Sequence, residues 1–176
     1  MKSELKKPLN LFNLTAFVRF DMIEKTKENV ADMMRDIELH FAYRARQEQK
    51  KIVLSGSDNV LLLCNRDWLI EAIDNIVKNA LDHTEKGDTV RIEWKALSSA
   101  VQIAVKDNGC GIHPEDLHHI FKRFYRSRFS QDTQGIGLGL PLAKAIIEAH
   151  NGTITVDSEL GMGTTFTISF RIPTEL

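Results

Sequence analysis

"QGIGLGL", residues 134–140, places three glycines at alternate positions just ahead of a run with helical periodicity. Gly-rich turns that open onto helix N-termini receive anions, because unsatisfied N–H groups and the helix dipole both point outward there. The stretch therefore reads as a phosphate loop, and its type decides the fold. It is not a Walker loop, since no Lys-Ser/Thr pair follows its glycines. Nor is it a Rossmann turn. Gly135, Gly137 and Gly139 have G-x-G-x-G spacing and follow a loop, not the first strand of a βαβ unit. Seven of the ten glycines come in three G-x-G clusters, at 109 and 111, at 135, 137 and 139, and at 161 and 163. Such clusters mark places where backbone must pass close to something.

Outward from that stretch, apolar periodicity places the elements. Residues 3 to 24 read as an amphipathic helix carrying Leu5, Leu9, Phe12 and Ala16, and the charged stretch Glu24 to Glu28 reads as a joint. A second helix spans 29 to 50, with Val30, Met33, Met34, Ile37, Phe41 and Ala45 on one side. Ile52–Leu54 and Val60–Leu63 read as short strands around an "SGSDN" turn. A third helix follows from 67 to 83, then alternating strands at 89–95 and 100–106. A Pro-initiated helix is expected at 114–121, a further helix at 138–150, and closing strands at 152–157 and 164–172. Three hairpin-length connections favour an α+β, two-layer sandwich: a mixed, mostly antiparallel sheet with helices on one face.

Composition narrows the function. With 23 basic and 24 acidic residues, the net charge of −1 argues against a nucleic-acid partner. The two cysteines form neither a metal motif nor a disulfide framework, which suits a reducing cytoplasm. No apolar run nears the ~20 residues of a membrane span, so no membrane contact is expected of this stretch of chain.

On the 67–83 helix, Glu71, Asn75, Asn79 and His83 lie four apart and stack along one face. Two readings stand side by side. A polar stripe commonly faces water. Yet Asn is a mediocre helix former, and an Asn oxygen is a ligand for a hard cation that takes its other ligands from phosphates. In "VKDNGCGI", Asp107 ends a strand. It is either plain turn chemistry or a carboxylate at a pocket floor accepting from an exocyclic amine, with Gly109 and Gly111 letting the chain pass a flat ring. In "IFKRFYRS", Phe121, Phe124 and Tyr125 read as core, while Arg123, Arg126 and Arg128 suit phosphate oxygens.

Taken in order, "NIVKNALDHT", "DNGCGI", "FKRFYR", "GIGLGL" and "GMGTTF" resemble the N box, first glycine box, F box, second glycine box and final glycine motif of sensor histidine kinases. The catalytic domain of that family belongs to the GHKL group, with DNA gyrase B, the MutL repair proteins and a heat-shock chaperone. The resemblance covers residues 67 to 170. It implies the group's ATP-binding sandwich, with residues 112 to 134 as the ATP lid, and ATP or ADP with Mg²⁺ as ligands.

By the same resemblance, Asn79 coordinates Mg²⁺ and Asn75 lines the phosphate site, Asp107 binds the adenine amine, and Arg126 contacts the γ-phosphate. His83, Gly109, Gly111, Ile112, Phe121 and Tyr125 border the nucleotide. Gly135, Gly137, Leu138 and Gly139 bring the lid's end and the next helix to the phosphates, and Thr164 supports the adenine pocket. Catalysis would rest on Asn75, Asn79 and Arg126.

Two positions depart from the family pattern. Asp82 stands where many members carry a basic residue near the phosphates. Asn75 stands where ATP-hydrolysing relatives have a water-activating glutamate, and an amide is no general base. None of the six histidines is followed by the acidic residue and Pro of a phospho-acceptor.

The resemblance thus implies a donor domain at 28–176, preceded at 1–27 by a remnant of the dimerisation hairpin. Its partners would be that histidine-bearing domain of the same protein and a response regulator. It would lie in the cytoplasm, with the full-length protein anchored in a membrane. The alternatives are an ATP-driven clamp, a serine kinase of the anti-sigma kind, or a domain that binds a partner without nucleotide.

Overall fold

The structure is a computed structural model that describes residues 23–128 and 136–173. The helix expected at 3–24 falls almost wholly outside the described residues, as does Gly135.

Strand β1 (Thr26–Asn29) leads directly into helix α1 (Val30–Gln47). Asn29 ends the strand and caps the helix, its side chain accepting from the Asp32 N–H at 3.1 Å. The chain continues through β2 (Lys51–Gly56), β3 (Leu61–Cys64), α2 (Arg66–Asp82), β4 (Thr89–Ala96), β5 (Ala100–Asp107), α3 (Gly139–Ala149), β6 (Gly152–Glu159) and β7 (Gly163–Arg171).

A five-stranded sheet in the order β2-β4-β5-β7-β6 forms one layer, and β1 and β3 make a separate two-stranded ribbon. The β2–β4 pair is parallel and the other three pairs of the large sheet are antiparallel. Register aligns the apolar positions across it: Ile92 opposite Val105, Trp94 opposite Ile103, Val105 opposite Phe166, Ile103 opposite Ile168. Together with Val90, Val101 and Phe170 they form one buried face. Helices α1, α2 and α3 cover it with Met33, Met34, Ile37, Leu69, Ile73, Ile76, Ile146 and Ile147, all fully buried. The opposite face carries Glu93 and Lys106, 2.6 Å apart, and partly exposed Gln102, Thr167 and Ser169. One apolar and one polar sheet face, each set by alternation, make the two-layer sandwich.

Three expectations are corrected. The strands flanking "SGSDN" do not pair with each other. β2 joins β4, while β3 pairs antiparallel with β1, Lys27 opposite Leu63. The reason is burial: Leu62 and Cys64 are buried with α1 and α2, which draws β3 off the main sheet. Second, the supposed joint becomes strand from Thr26 onward. Third, residues 114–121 form no α-helix. Their backbone makes bonds three residues apart, Asp116 N–H to His113 O, His119 N–H to Asp116 O and Lys122 N–H to His119 O. So short a segment cannot offset the cost of nucleating a helix, and Asp116 and Phe121 are held by partners outside it.

Candidate nucleotide-binding site

The C-terminal half of α2, the turn after β5, the segment from 112 to 127 and the start of α3 enclose an open cleft of about 1050 Å³. α2 points one stripe of itself into it: Asn75, Lys78, Asn79, Asp82 and His83 all line the cleft. The helix does so because Leu69, Ile73, Ile76, Val77 and Ala80 bury its other side. Helix and turn are bonded together, with the Cys110 N–H donating to the His83 carbonyl at 3.1 Å. A Cβ on Gly109 would lie 2.1 Å from that carbonyl oxygen, so only glycine lets the two backbones meet.

On the far side, α3 starts without a cap. Leu138 makes no side-chain cap bond, the first turn holds no acid, and the third helical residue, Pro141, has no N–H to offer. The N–H groups of this terminus and the helix dipole are therefore directed at the cleft, which Leu138, Gly139, Leu140 and Pro141 line. Gly137 has φ +75°, and a Cβ there would meet the Tyr125 carbonyl at 2.7 Å. A Cβ on Gly139 would stand 2.9 Å from Asn75 Oδ1. Across this narrow gap α2 and α3 face each other, with an amide side chain on one wall and a bare helix terminus on the other.

The cleft brings together Asn75, Asn79, His83, Gly109, Gly111, Ile112, Tyr125, Arg126, Gly137, Leu138 and Gly139 from four separate stretches of sequence. Three expected residues do not line it. Asp107 lies one layer below the floor. Its Oδ1 accepts from the Gly109 N–H at 2.9 Å, and burial pushes its carboxyl up, offset in part by bonds from the Gly109 and Thr164 backbone. Thr164 is buried opposite it on β7, its hydroxyl 2.9 Å from Ser158 Oγ. Phe121 turns inward, its ring edge-on to Phe166 at 6.3 Å with the Lys144 ammonium above it. It is an edge of the core, as aromatics at helical spacing usually are.

Asp82, the departure near the phosphate wall, does not stand alone. It pairs with Arg44 of α1 at 2.7 Å and with Lys78 at 2.8 Å. Arg44 also holds Glu48 at 2.7 Å, and Lys50 bridges Glu48 and the Leu81 carbonyl. The acid's charge is thus met from two sides, by Lys78 on the cleft wall and by Arg44, a residue 38 positions earlier. No local pattern announced the Arg44 pair. Asp116 was missed as well. It is a buried acid on the cleft wall that receives the hydroxyls of Tyr125 and Ser127.

The donor set suits a magnesium nucleotide. Among the described residues no three His, Cys, Asp or Glu side chains gather as metal ligands. Asn79, which lines the cleft, is an amide oxygen source that would fit a hard cation keeping water and phosphate as its other ligands.

This architecture defines a class: a two-layer α/β sandwich with an open cleft between α2, the turn after β5 and the start of α3. The profile of the family described as "Histidine kinase-, DNA gyrase B-, and HSP90-like ATPase" matches residues 64–175, and the chain belongs to that family of ATP-binding domains. Within it, the chain is similar to the sensor histidine kinase YvrG of Bacillus subtilis (strain 168), 34% identical over 119 residues, covering 67% of this chain and 20% of that protein. It also resembles full-length ShkA, solved in complex with AMPPNP, at TM-score 0.77 and 25% identity over 91% of this chain and 35% of that one. The histidine kinase ThkA, solved with the response regulator protein TrrA, matches at TM-score 0.72 and 20% identity over 85% of this chain and 42% of that one, a likeness of fold. The chain spans about a fifth to a third of the length of curated relatives such as YvrG, HssS and YclK. Among the described residues no helix is long and apolar enough to cross a membrane.

Proposed function

We propose that this chain is the donor domain of a sensor histidine kinase. It holds ATP with Mg²⁺ and passes the γ-phosphoryl group to a histidine on a dimerisation hairpin, for relay to a response regulator. The observation that carries the reading is Asn75. Where a hydrolase of this group needs a carboxylate to activate water, the cleft offers an amide whose Nδ2 donates to the Glu71 carbonyl at 2.9 Å. ATP would be kept until a better nucleophile arrives. That favours a kinase over an ATP-driven clamp.

In this reading Asn79 supplies the protein's ligand to the metal, which when bound would neutralise charge on the phosphates. Asn75 and the N–H groups of Leu138, Gly139 and Leu140 orient the phosphate chain, and Arg126 meets the γ-phosphate. Asp107, reached once the nucleotide base settles on the Gly109 turn, accepts from the adenine amine. Thr164 fixes the back of Asp107, while His83, Gly111, Ile112 and Tyr125 border the base and ribose. Phosphoryl transfer needs an in-line nucleophile and charge neutralisation. The chain furnishes the second and the hairpin the first. Residues ahead of β1 would be the hairpin's remnant and joint, and the full-length protein would hold this domain on the cytoplasmic side of a membrane.

The test is transfer. Incubated alone with γ-labelled ATP, the chain should remain unlabelled. With the cognate hairpin fused ahead of it, acid-labile label should appear on the hairpin histidine. Stable phosphohistidine on this chain, or fast release of inorganic phosphate without a hairpin, would overturn the proposal.

A further inference from the structure

Arg126 sits between two residues whose side chains reach the same carboxylate. The Tyr125 hydroxyl donates to one oxygen of Asp116, and the Ser127 hydroxyl donates to the other. Asp116 is only 4% exposed and is mounted on firm backbone, its N–H donating to His113 O and its carbonyl accepting from His119 N–H. The Tyr125 ring packs on His119, centroids 5.3 Å apart. On the other side the Phe124 N–H donates to the Gly137 carbonyl at 2.9 Å, with Phe124 itself at φ +60°. Burial alone would push the Asp116 carboxyl up. Bonds from Ser127 and Tyr125 outweigh it and hold the group below the usual carboxylate range. The acid is therefore ionised at neutral pH, and hydrogen bonds to a charged acceptor are the strong kind.

Both neighbours of Arg126 are thus tied to one carboxylate, which restrains the backbone at residue 126. We infer that Asp116 is a positioning residue that presents Arg126 to the phosphate end of the cleft. The inference rests on the reading of Arg126 as a γ-phosphate contact. It goes further in saying that the arginine's direction is set by a buried acid ten residues earlier, before nucleotide arrives. An arginine already aimed loses less freedom on binding, so the gain falls on ligands that carry the γ-phosphate and on no others.

Calorimetric titration with ATP, ADP and adenosine reads this directly. Asp116→Asn and Ser127→Ala should each lower the preference for ATP over ADP by roughly three- to tenfold, and Ser127→Ala should leave adenosine affinity unchanged. Intact adenosine binding certifies the fold, and Ser127→Ala, which keeps the acid and its tyrosine bond, serves where Asp116→Asn fails to fold. In an Arg126→Ala background neither change should move the preference further. An unchanged preference in Ser127→Ala and Asp116→Asn, with Arg126→Ala alone lowering it, overturns the inference and spares the reading of Arg126. An equal drop with and without the arginine also overturns it, because the acid would then act by another route. If Arg126→Ala itself leaves the preference intact, the phosphate contact is wrong and the inference falls with it.

Discussion

Asp107 and Asn79 carry the sharpest claims at the scale of single residues. Asp107 has two backbone N–H donors behind it and a floor of glycine in front. A hydrogen bond from a neutral amine to such a charged acceptor contributes about 1.5–3 kcal/mol. Asp107→Asn should therefore weaken ATP binding about tenfold or more while GTP binding changes little, and calorimetry with the two nucleotides checks it. Equal affinity for ATP and GTP in the parent chain would remove adenine selection from this residue. Asn79 acts through the metal. Asn79→Asp should alter the Mg²⁺ dependence of ATP binding and leave adenosine binding nearly untouched. If adenosine binding falls in parallel, the amide is a structural part of α2.

Between elements, two ties hold the cleft walls in place. One is Arg44 of α1 on Asp82 of α2. Arg44→Gln should leave Asp82 with its Lys78 pair but without the guanidinium, and weaken ATP by roughly three- to tenfold, with adenosine unaffected. Asp82→Lys should reverse the loss in the same background, read by the same titrations. The other tie is His150, which ends α3. Its Nε2 accepts from the Asn65 N–H at 3.1 Å at the start of α2, and its Nδ1–H donates to the Ile146 carbonyl at 2.7 Å. The first bond needs the neutral ring, since a protonated Nε2 cannot accept, and burial, with Lys25 nearby, outweighs the Ile146 bond and lowers the pKa of His150. The unfolded chain binds this proton more readily than the folded one. The clip's contribution is thus complete above the ordinary histidine pKa of about 6.5 and is lost as pH falls through the lower folded value. Urea melts at about pH 7.5 and about pH 5.5 should show a loss near 1 kcal/mol that His150→Gln lacks. Equal losses in the two proteins would clear His150 of the effect.

For the whole molecule, β1 ties the start of the described chain to the sandwich. β1 pairs along its length with β3, covers buried Leu62 and Cys64, and ends in the cap of α1. A chain begun at residue 30 loses the cap and the ribbon together. A cap alone is worth about 1 kcal/mol, and each kcal/mol moves the melting point of a domain this size by roughly 2–4 °C. Thermal melts should place a chain begun at 30 roughly 3–10 °C below one begun at 24. No difference would make the ribbon incidental. The ribbon also links the stretch ahead of the domain to α2, since the Asn65 side chain donates to the Glu24 carbonyl at 3.0 Å.

The boxes were legible because their signals are local. Glycine at alternate positions, a polar stripe at helical spacing and strand alternation each depend on a few neighbouring residues. Asn75, Asn79 and Gly137 stand on those signals and Arg126 in a run of arginines, and all four line one cleft. Pairing across the chain was not legible, because it depends on which surfaces compete for the same core. Two strands separated by the five residues "SGSDN" looked like a hairpin. Burial of Leu62 and Cys64 against α1 and α2 took β3 to β1, and left β2 to run parallel with β4. Phe121 went to Phe166 for the same reason. Charge told least of all. Arg44 and Asp82, or Asp116 with Tyr125 and Ser127, are ordinary polar residues in sequence. Only folding, which sets their carboxylates beside distant donors and away from water, turns them into the groups that aim and balance the site.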